Sequence, residues 1–300
     1  MSVSIEKVLD VRARTGECAT WDPASGRLLW VDIPACEFHR FDPANGADET
    51  FSMPSMVGCF ALAPENGVIV ALEEGFHHFD PGTGALAFLT QPEPDRPTNR
   101  FNDGTTDPKG RFWAGTMPKQ GASQDRGPEG ALYCLDTDGS AGRHSTGYFT
   151  QNGLAFSPSG DLLYVSDSSP WVRSIWVYDY DLETGSTGDR RLFFDTNAVA
   201  GRPDGGTIDA DGCYWMAGVG GAQLVRLTPR GDIDRIIDLP VKKPTKIAFG
   251  GNDLDVIFVT SIASGDEDDP SGGAIFAVRA GVTGVPSVPY PYRASSDHIS

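Results

Sequence analysis

A turn motif of the type Asp-Pro-x-x-Gly, followed by a short apolar run, returns along the chain in six variants. Each repeat begins with a segment such as WDPASGRLLWVDI, TDPKGRFWAGTM or FSPSGDLLYVSDS and continues into a second apolar run and another turn. The glycines that end the first turn of each repeat lie 39 to 52 residues apart: Gly26, Gly67, Gly110, Gly160, Gly212 and Gly251. A period of about 40–50 residues with several short strands is typical of propeller blades. The sequence therefore predicts an all-β fold, a six-bladed β-propeller.

The apolar runs themselves indicate strands. They are short, rich in β-branched and aromatic residues, and bounded by turn residues. No segment keeps a 3.6-residue apolar period over about ten residues, as a helical framework would require. The stretch SIEKVLDV before the first repeat is predicted to add a strand to the last blade, which closes the ring. We expect one domain over residues 1–290 and a disordered tail over residues 291–300.

The net charge of the chain argues against two classes of partner, and its cysteine content and hydropathy indicate its location. The chain has 41 acidic and 24 basic residues, a net charge of −17. Such a surface repels phosphate backbones and anionic lipids, so neither a nucleic acid nor a membrane is expected as a partner. The five cysteines form no C-x-x-C pair, no apolar run approaches the ~18 residues of a membrane span, and no signal peptide follows Met1. The sequence predicts a cytoplasmic protein.

The repeat also predicts which residues share one height around the propeller axis. The position five residues before each turn, here called the channel position, holds Glu17, Gly58, Asn102, Asn152, Asp204 and Thr245. Two carboxylates and two amides are therefore expected to converge, and without a cation the buried carboxylates would repel each other. All-oxygen ligation suits a hard cation such as Ca²⁺, Mg²⁺ or Mn²⁺. We predict a metal site in the central channel.

A simpler interpretation competes with this site. Three dipeptides at or beside the channel position are favoured in two-residue hairpin turns: Asp103-Gly104, Asn152-Gly153 and Asp204-Gly205. Taken singly, each is a turn candidate. Glu17-Cys18 is not a turn pair but holds the same position in its repeat, and this favours the shared site.

Four segments resemble the signature segments of the regucalcin/gluconolactonase family: TGECATWDPASGRLLWVDI, RFNDGTTDPKGRFWAGTM, TQNGLAFSPSGDLLYVSDS and RPDGGTIDADGCYWMAG. They occur in order with matching spacing, and the resemblance covers roughly residues 5 to 285. Members are six-bladed propellers that hydrolyse sugar lactones with one divalent cation. The resemblance implies a carboxylic-ester hydrolase that opens a sugar (aldono) lactone to the aldonic acid, with the cation polarising the lactone carbonyl and activating water.

The resemblance also implies a role for individual residues. Glu17, Asn152 and Asp204 would bind the metal, and Asp204 would also be the general base. Arg100 and Asn102 would contact sugar hydroxyls, with Asn102 close to the metal through a direct bond, a water molecule or the substrate. Oxygen ligands also admit Zn²⁺ and Fe²⁺, so the identity of the cation stays open, as do the lactone, its ring size and the oligomeric state.

The stretch after Gly-Thr-Met departs from some mammalian members, which carry a glutamate that contacts the sugar. This chain has Gln120 there, which is predicted to hydrogen-bond a substrate hydroxyl, so the substrate preference is not carried over. The loop from Pro118 to Gly130 could act as a lid. Two alternatives are open: a calcium-dependent arylesterase or phosphotriesterase propeller, which usually has an apolar channel, and a non-catalytic cation-binding propeller.

Overall fold

Six antiparallel sheets form the blades of a propeller in this computed structural model, which describes residues 3–263, 265 and 269–292. The first strand of the chain, β1 (Ser4–Leu9), belongs to the last blade. Blade 1 contains β2 (Gly16–Asp22), β3 (Arg27–Asp32), β4 (Glu37–Asp42) and β5 (Ala47–Ser52). Blade 2 contains β6 (Val57–Leu62), β7 (Val68–Leu72), β8 (Gly75–Asp80) and β9 (Ala85–Thr90). Blade 3 contains β10 (Asn99–Thr106), β11 (Phe112–Pro118), β12 (Gly130–Leu135) and β13 (Ala141–Tyr148).

The other three blades vary this plan slightly. Blade 4 contains β14 (Gln151–Phe156), β15 (Leu162–Asp167) and β16 (Ser174–Asp181), with β17 (Ser186–Thr187) and β18 (Arg191–Asp195) both pairing with β16. Blade 5 contains β19 (Arg202–Ile208), β20 (Tyr214–Val219), β21 (Gln223–Leu227) and β22 (Ile233–Asp238). Blade 6 contains β23 (Pro244–Gly250), β24 (Val256–Ser261), β25 (Ile275–Arg279) and β1. Two short 3₁₀ segments are Pro64–Asn66 and Thr196–Ala198.

Contacts between the first strands of successive blades close the ring. β2 touches β6 and β23, and the series continues through β10, β14 and β19 back to β23. Strand β1 pairs antiparallel with β25, from Ser4 opposite Arg279 to Leu9 opposite Ile275, so the last blade joins the two ends of the chain. The six-bladed propeller and the contribution of the N-terminal strand are both confirmed.

The hydrophobic core lies between the blades. Each apolar cluster joins residues of neighbouring blades, and among the largest members are three fully buried tryptophans: Trp30, Trp113 and Trp215. They occupy the second strands of blades 1, 3 and 5. Because this packing fixes the angle between blades, it also fixes the positions of the innermost strands that surround the channel.

The segment after β25 crosses the ring at the carboxyl ends of the innermost strands. Its backbone contacts reach three blades: Asp209–Gly284 in blade 5, Thr106–Val288 in blade 3 and Leu62–Tyr290 in blade 2. Residues Val285 to Val288 line a cavity of about 170 Å³ at this end of the channel. Of the tail predicted over residues 291–300, Tyr292 stacks on His78 with ring centroids 4.0 Å apart, and residues 293–300 lie outside the described residues.

Within the described residues, no helix is long and apolar enough to cross a bilayer. The five cysteines are free thiols. The cytoplasmic location and the single domain over residues 1–290 stay predictions.

Candidate metal and active site in the channel

A β-bulge interrupts the innermost strand of every blade at or beside the channel position. The pairing with the second strand shifts at Glu17–Thr20, Val57–Cys59, Phe101–Gly104, Asn152–Ala155, Pro203–Gly206 and Pro244–Ile247. A bulge bends its strand and changes the direction in which a side chain points. The Asn-Gly and Asp-Gly pairs therefore lie inside strands, and their interpretation as hairpin turns is wrong.

Glu17 and Asp204 bring two buried carboxylates together from blades 1 and 5. Their exposed fractions are 5% and 6%. Burial, followed by the charge of Asp204, raises the pKa of Glu17 well above its usual range. Burial, followed by the charge of the nearby Asp103, raises the pKa of Asp204 to about 7. The charged forms of both carboxyl groups are thus disfavoured in the protein without a cation.

Asn152 offers an unsatisfied oxygen beside these carboxylates. Its Nδ2 donates a hydrogen bond of 2.9 Å to the hydroxyl of Ser168, which in turn donates to the Pro203 carbonyl in blade 5. Its Oδ1 is buried and has no hydrogen-bond partner. The donor side of the same amide group also hydrogen-bonds to Asp204, and this contact lowers the pKa of Asp204. A buried acceptor without a donor is destabilising unless something else satisfies it.

These three residues fit a divalent cation. Two carboxylates and one free amide oxygen supply the oxygen donors that hard cations prefer. Among residues 3–263, 265 and 269–292, no group of three or more histidine, cysteine, aspartate and glutamate side chains is placed to hold a metal ion. A cation bound here would therefore depend on amide oxygen as well as on the two carboxylates.

Asn102 is held differently from Asn152. Arg100 Nη1 donates to Asn102 Oδ1 and to the Phe101 carbonyl, both at 2.8 Å. Asn102 Nδ2 donates to the backbone carbonyl of Gln151 at 2.9 Å. Because its amide oxygen already accepts a hydrogen bond, this geometry favours contact of Asn102 with substrate or water over a direct bond to a metal.

Blade 2 has only a glycine at the channel position, and the packing explains why. A Cβ atom on Gly58 would lie 2.2 Å from the backbone oxygen of Phe101 in blade 3. The innermost strand of blade 3 therefore passes directly over Gly58, and this close approach sets the position of Asn102.

Gln120 is not part of the buried contacts just described. It is exposed, in the turn that follows β11. Asn99 pairs with Pro118, so this turn lies at the same end of blade 3 as the site. Its neighbour Lys119 is paired with Glu73 at 2.5 Å. The role of Gln120 in substrate binding and the lid function of the loop stay predictions.

A buried ion pair lies directly beside the site and was missed by the sequence analysis. Lys246 Nζ lies 2.7 Å from Asp103 Oδ1, and the side chains are 6% and 0% exposed. Asp103 Oδ2 also accepts the N–H of Leu154 at 2.8 Å. The two residues follow the channel position by one residue in blades 3 and 6, which lie opposite each other, so the pair spans the channel. A comparison of the residues that directly follow the channel position in each repeat could have revealed this ion pair.

Arg202 was also missed. It lies two residues before Asp204, as Arg100 lies two residues before Asn102, and its charge lowers the pKa of Asp204. A comparison of the residues two positions before the channel position in each repeat places Arg100 and Arg202 at the same height along the propeller axis.

Comparison with known proteins places the chain in a family. The model of the SMP-30/Gluconolactonase/LRE-like region matches residues 15–263. The chain belongs to this family. The predicted resemblance is thus confirmed, and SMP-30/gluconolactonase relatives match nearly the whole chain.

Three of these relatives are informative. The 6-deoxy-6-sulfogluconolactonase of Pseudomonas putida is 38% identical over 95% of this chain and 97% of its own length. The pentonolactonase of Haloferax volcanii is 33% identical over 95% of this chain and 97% of its own length. The crystal structure of regucalcin from Agrobacterium tumefaciens, described as a calcium-binding protein, has a TM-score of 0.88 and 28% identity, covering 95% of this chain and 96% of that one.

Proposed function

We propose that this protein hydrolyses a sugar (aldono) lactone to the aldonic acid with the help of one divalent cation. The observation that carries the proposal is the free, buried Oδ1 of Asn152 beside the buried carboxyl groups of Glu17 and Asp204. The two lactonase relatives support the substrate class, and the calcium-binding regucalcin supports a cation.

Glu17, Asn152 and Asp204 are the proposed ligands of this cation, which is Ca²⁺, Zn²⁺, Mn²⁺, Mg²⁺ or Fe²⁺. When bound, a cation of this kind would polarise the lactone carbonyl and lower the pKa of a water molecule. The carboxylates of Glu17 and Asp204 would then lose their mutual repulsion, so a bound cation would also stabilise the channel.

Asp204 is the proposed general base. The family resemblance supports this role, and the buried carboxyl group of Asp204 lies beside Asn152, whose amide group donates a hydrogen bond to it. The Asp204 carboxylate accepts a proton from the attacking water and returns it to the ring oxygen as the ester opens. Arg100 and Asn102, which hydrogen-bond to each other at 2.8 Å, present N–H groups that orient the sugar hydroxyls.

The test is lactone hydrolysis by the full chain after chelation, with each cation added back separately. The panel holds aldono-1,4-lactones, aldono-1,5-lactones and phenyl acetate, followed with a pH indicator. We expect cation-dependent hydrolysis of a lactone, a loss of about 10³-fold or more in Asp204→Asn, and no loss in Asp179→Asn, whose side chain is 70% exposed.

The other outcomes decide between the alternatives. Faster turnover of phenyl acetate than of every lactone would favour an arylesterase. Binding of a cation without hydrolysis of any ester would favour a non-catalytic propeller. Full activity in Asp204→Asn would remove this residue from both proposed roles.

A further inference from the structure

A ring of six equivalent positions, three of them cationic, surrounds the channel near the amino-terminal ends of the innermost strands. The position two residues before the channel position holds Thr15, Met56, Arg100, Thr150, Arg202 and Lys243. Residues two apart in a strand lie on the same face, about 7 Å apart along it. Three members of this ring are cationic and none is acidic, although the chain as a whole has a net charge of −17. The local charge is therefore opposite to that of the protein.

One N–H group of the Arg202 guanidinium, the buried Nε–H, is not satisfied by the protein. Within the described residues, the Arg202 side chain makes no hydrogen bond or ion pair. Arg100, at the same height, is occupied by the Asn102 oxygen and the Phe101 carbonyl. A buried N–H group without an acceptor is destabilising by about 1–3 kcal/mol, and more when the group is charged.

The charges around Arg202 do not supply the missing acceptor once the proposed cation is bound. Glu17, Asp103 and Asp204 carry three negative charges, which a divalent cation and the ammonium of Lys246 balance. The charge of Glu73 raises the pKa of Arg100, but the Glu73 carboxylate is itself paired with Lys119 Nζ at 2.5 Å. With a cation bound, this count of carboxylates leaves the positive charges of Arg100 and Arg202 unbalanced.

We infer that Arg202 is a specificity-determining residue and that the lactone taken by this site carries an anionic substituent, a carboxylate, sulfonate or phosphate remote from the ester. A planar guanidinium group with free N–H donors can bind two oxygen atoms of such an anion in a bidentate contact. Arg202 lies in blade 5 beside Asp204, whereas Arg100 lies in blade 3. An anion on the Arg202 side would therefore leave the other side of the channel to the sugar hydroxyls. This inference rests on the proposed lactonase function.

A matched pair of substrates tests it. Glucono-1,4-lactone and glucaro-1,4-lactone share ring and ester and differ in a hydroxymethyl group or a carboxylate at C6. We expect kcat/KM of the cation-loaded wild type to be at least about tenfold higher for the anionic lactone, mainly through KM. Arg202→Gln should lower kcat/KM for the anionic lactone by about 10–100-fold, which corresponds to a charge-assisted hydrogen bond of about 1.5–3 kcal/mol. Because the charge of Arg202 also acts on Asp204, the neutral lactone should lose some activity as well, but less, so that the preference for the anionic lactone falls.

Two control variants and a binding measurement sharpen the test. Arg202→Lys keeps the charge and should recover part of the preference, and Arg230→Gln, whose side chain is 86% exposed, should keep all of it. Calorimetry with glucuronate and glucose, which carry no ester, should show tighter binding of glucuronate to the wild type and equal binding of both sugars to Arg202→Gln.

Three outcomes would overturn the inference. The first is a wild-type kcat/KM that does not favour the anionic lactone, and the second is equal binding of the two sugars to the wild type. The third is an equal loss on both lactones in Arg202→Gln, which would assign Arg202 to stabilising the charge that develops at the ester. Hydrolysis of both lactones without a preference overturns this inference alone, whereas hydrolysis of neither lactone overturns the proposed function as well.

Discussion

Two aspartates in the channel, Asp103 and Asp204, are both buried, but only Asp103 has an ion-pair partner. Asp103 is fully buried and paired with Lys246 at 2.7 Å. Asp204 is 6% exposed, has another carboxyl group close by, and has its pKa raised to about 7. The fold thus neutralises one carboxylate internally and leaves the other without a paired cation. The first arrangement stabilises the protein, and the second would favour binding of the proposed cation.

The largest effect that we expect is on stability, at the paired aspartate. Asp103→Asn leaves the buried ammonium of Lys246 without its counter-ion, and breaking a buried pair in this way lowers the free energy of unfolding by about 3–5 kcal/mol. Chemical denaturation in the presence of chelator measures it. The double variant Asp103→Leu with Lys246→Met removes both charges and should recover most of the loss. A single variant as stable as the wild type would contradict the structural role of the pair.

Asp204→Asn should change stability in the opposite direction when no cation is present. Folding raises the pKa of Asp204 from 3.8 to about 7, so the folded protein binds this proton more tightly than the unfolded chain does. The contribution of Asp204 to the stability of the metal-free wild type therefore falls as the pH rises from about 4 to about 7 and changes little above that. At pH 8 we expect Asp204→Asn to be more stable than the wild type by about 2–4 kcal/mol.

Denaturation with chelator at pH 5 and pH 8 checks this prediction. The advantage of Asp204→Asn should be larger at pH 8 than at pH 5, and saturating cation should reverse it. Asp179→Asn is the control that removes an exposed carboxylate. A lower stability of Asp204→Asn at pH 8 without cation would show that this carboxylate is satisfied inside the fold.

A smaller effect is expected at Ser168, which supports the free amide. Ser168→Ala removes the acceptor of the Asn152 Nδ2 hydrogen bond and the link to Pro203. Loss of such a supporting contact typically lowers metal affinity by about 10–100-fold. Calorimetric titration with the preferred cation measures the change. Unchanged affinity would mean that Ser168 does not orient Asn152.

The smallest effect is expected at Gln120. Because this side chain is exposed in the turn after β11, its predicted hydrogen bond to a substrate hydroxyl contributes little, and Gln120→Ala should raise KM for the preferred lactone by about two- to tenfold. An unchanged KM in steady-state kinetics would contradict the predicted contact.

The repeat in the sequence was sufficient to predict the propeller, its six blades and the strand that closes it. It also placed Glu17, Asn152 and Asp204 at one height, because equivalent positions of the blades surround one axis. It did not predict the bulges that redirect these side chains, since a bulge depends on the pairing of two strands.

The sequence repeat likewise does not show whether a side chain at the channel position has a hydrogen-bond partner for its oxygen. Asn102 and Asn152 occupy the same channel position, but only Asn102 has an arginine two residues earlier that hydrogen-bonds its oxygen. Asp103 and Lys246 meet only because their blades lie opposite each other. Such differences depend on contacts between residues far apart in the sequence.

Calorimetric titration of the chelated full chain with Ca²⁺, Zn²⁺, Mn²⁺, Mg²⁺ and Fe²⁺, with lactone hydrolysis followed in parallel, tests the central claim most directly. For at least one cation, the wild type should bind one equivalent and recover activity along the same binding curve. Glu17→Gln and Asp204→Asn should bind much more weakly, and Asp179→Asn should bind as the wild type does. Stoichiometric binding that is unchanged in both site variants, or full hydrolysis with no cation bound, would contradict the account.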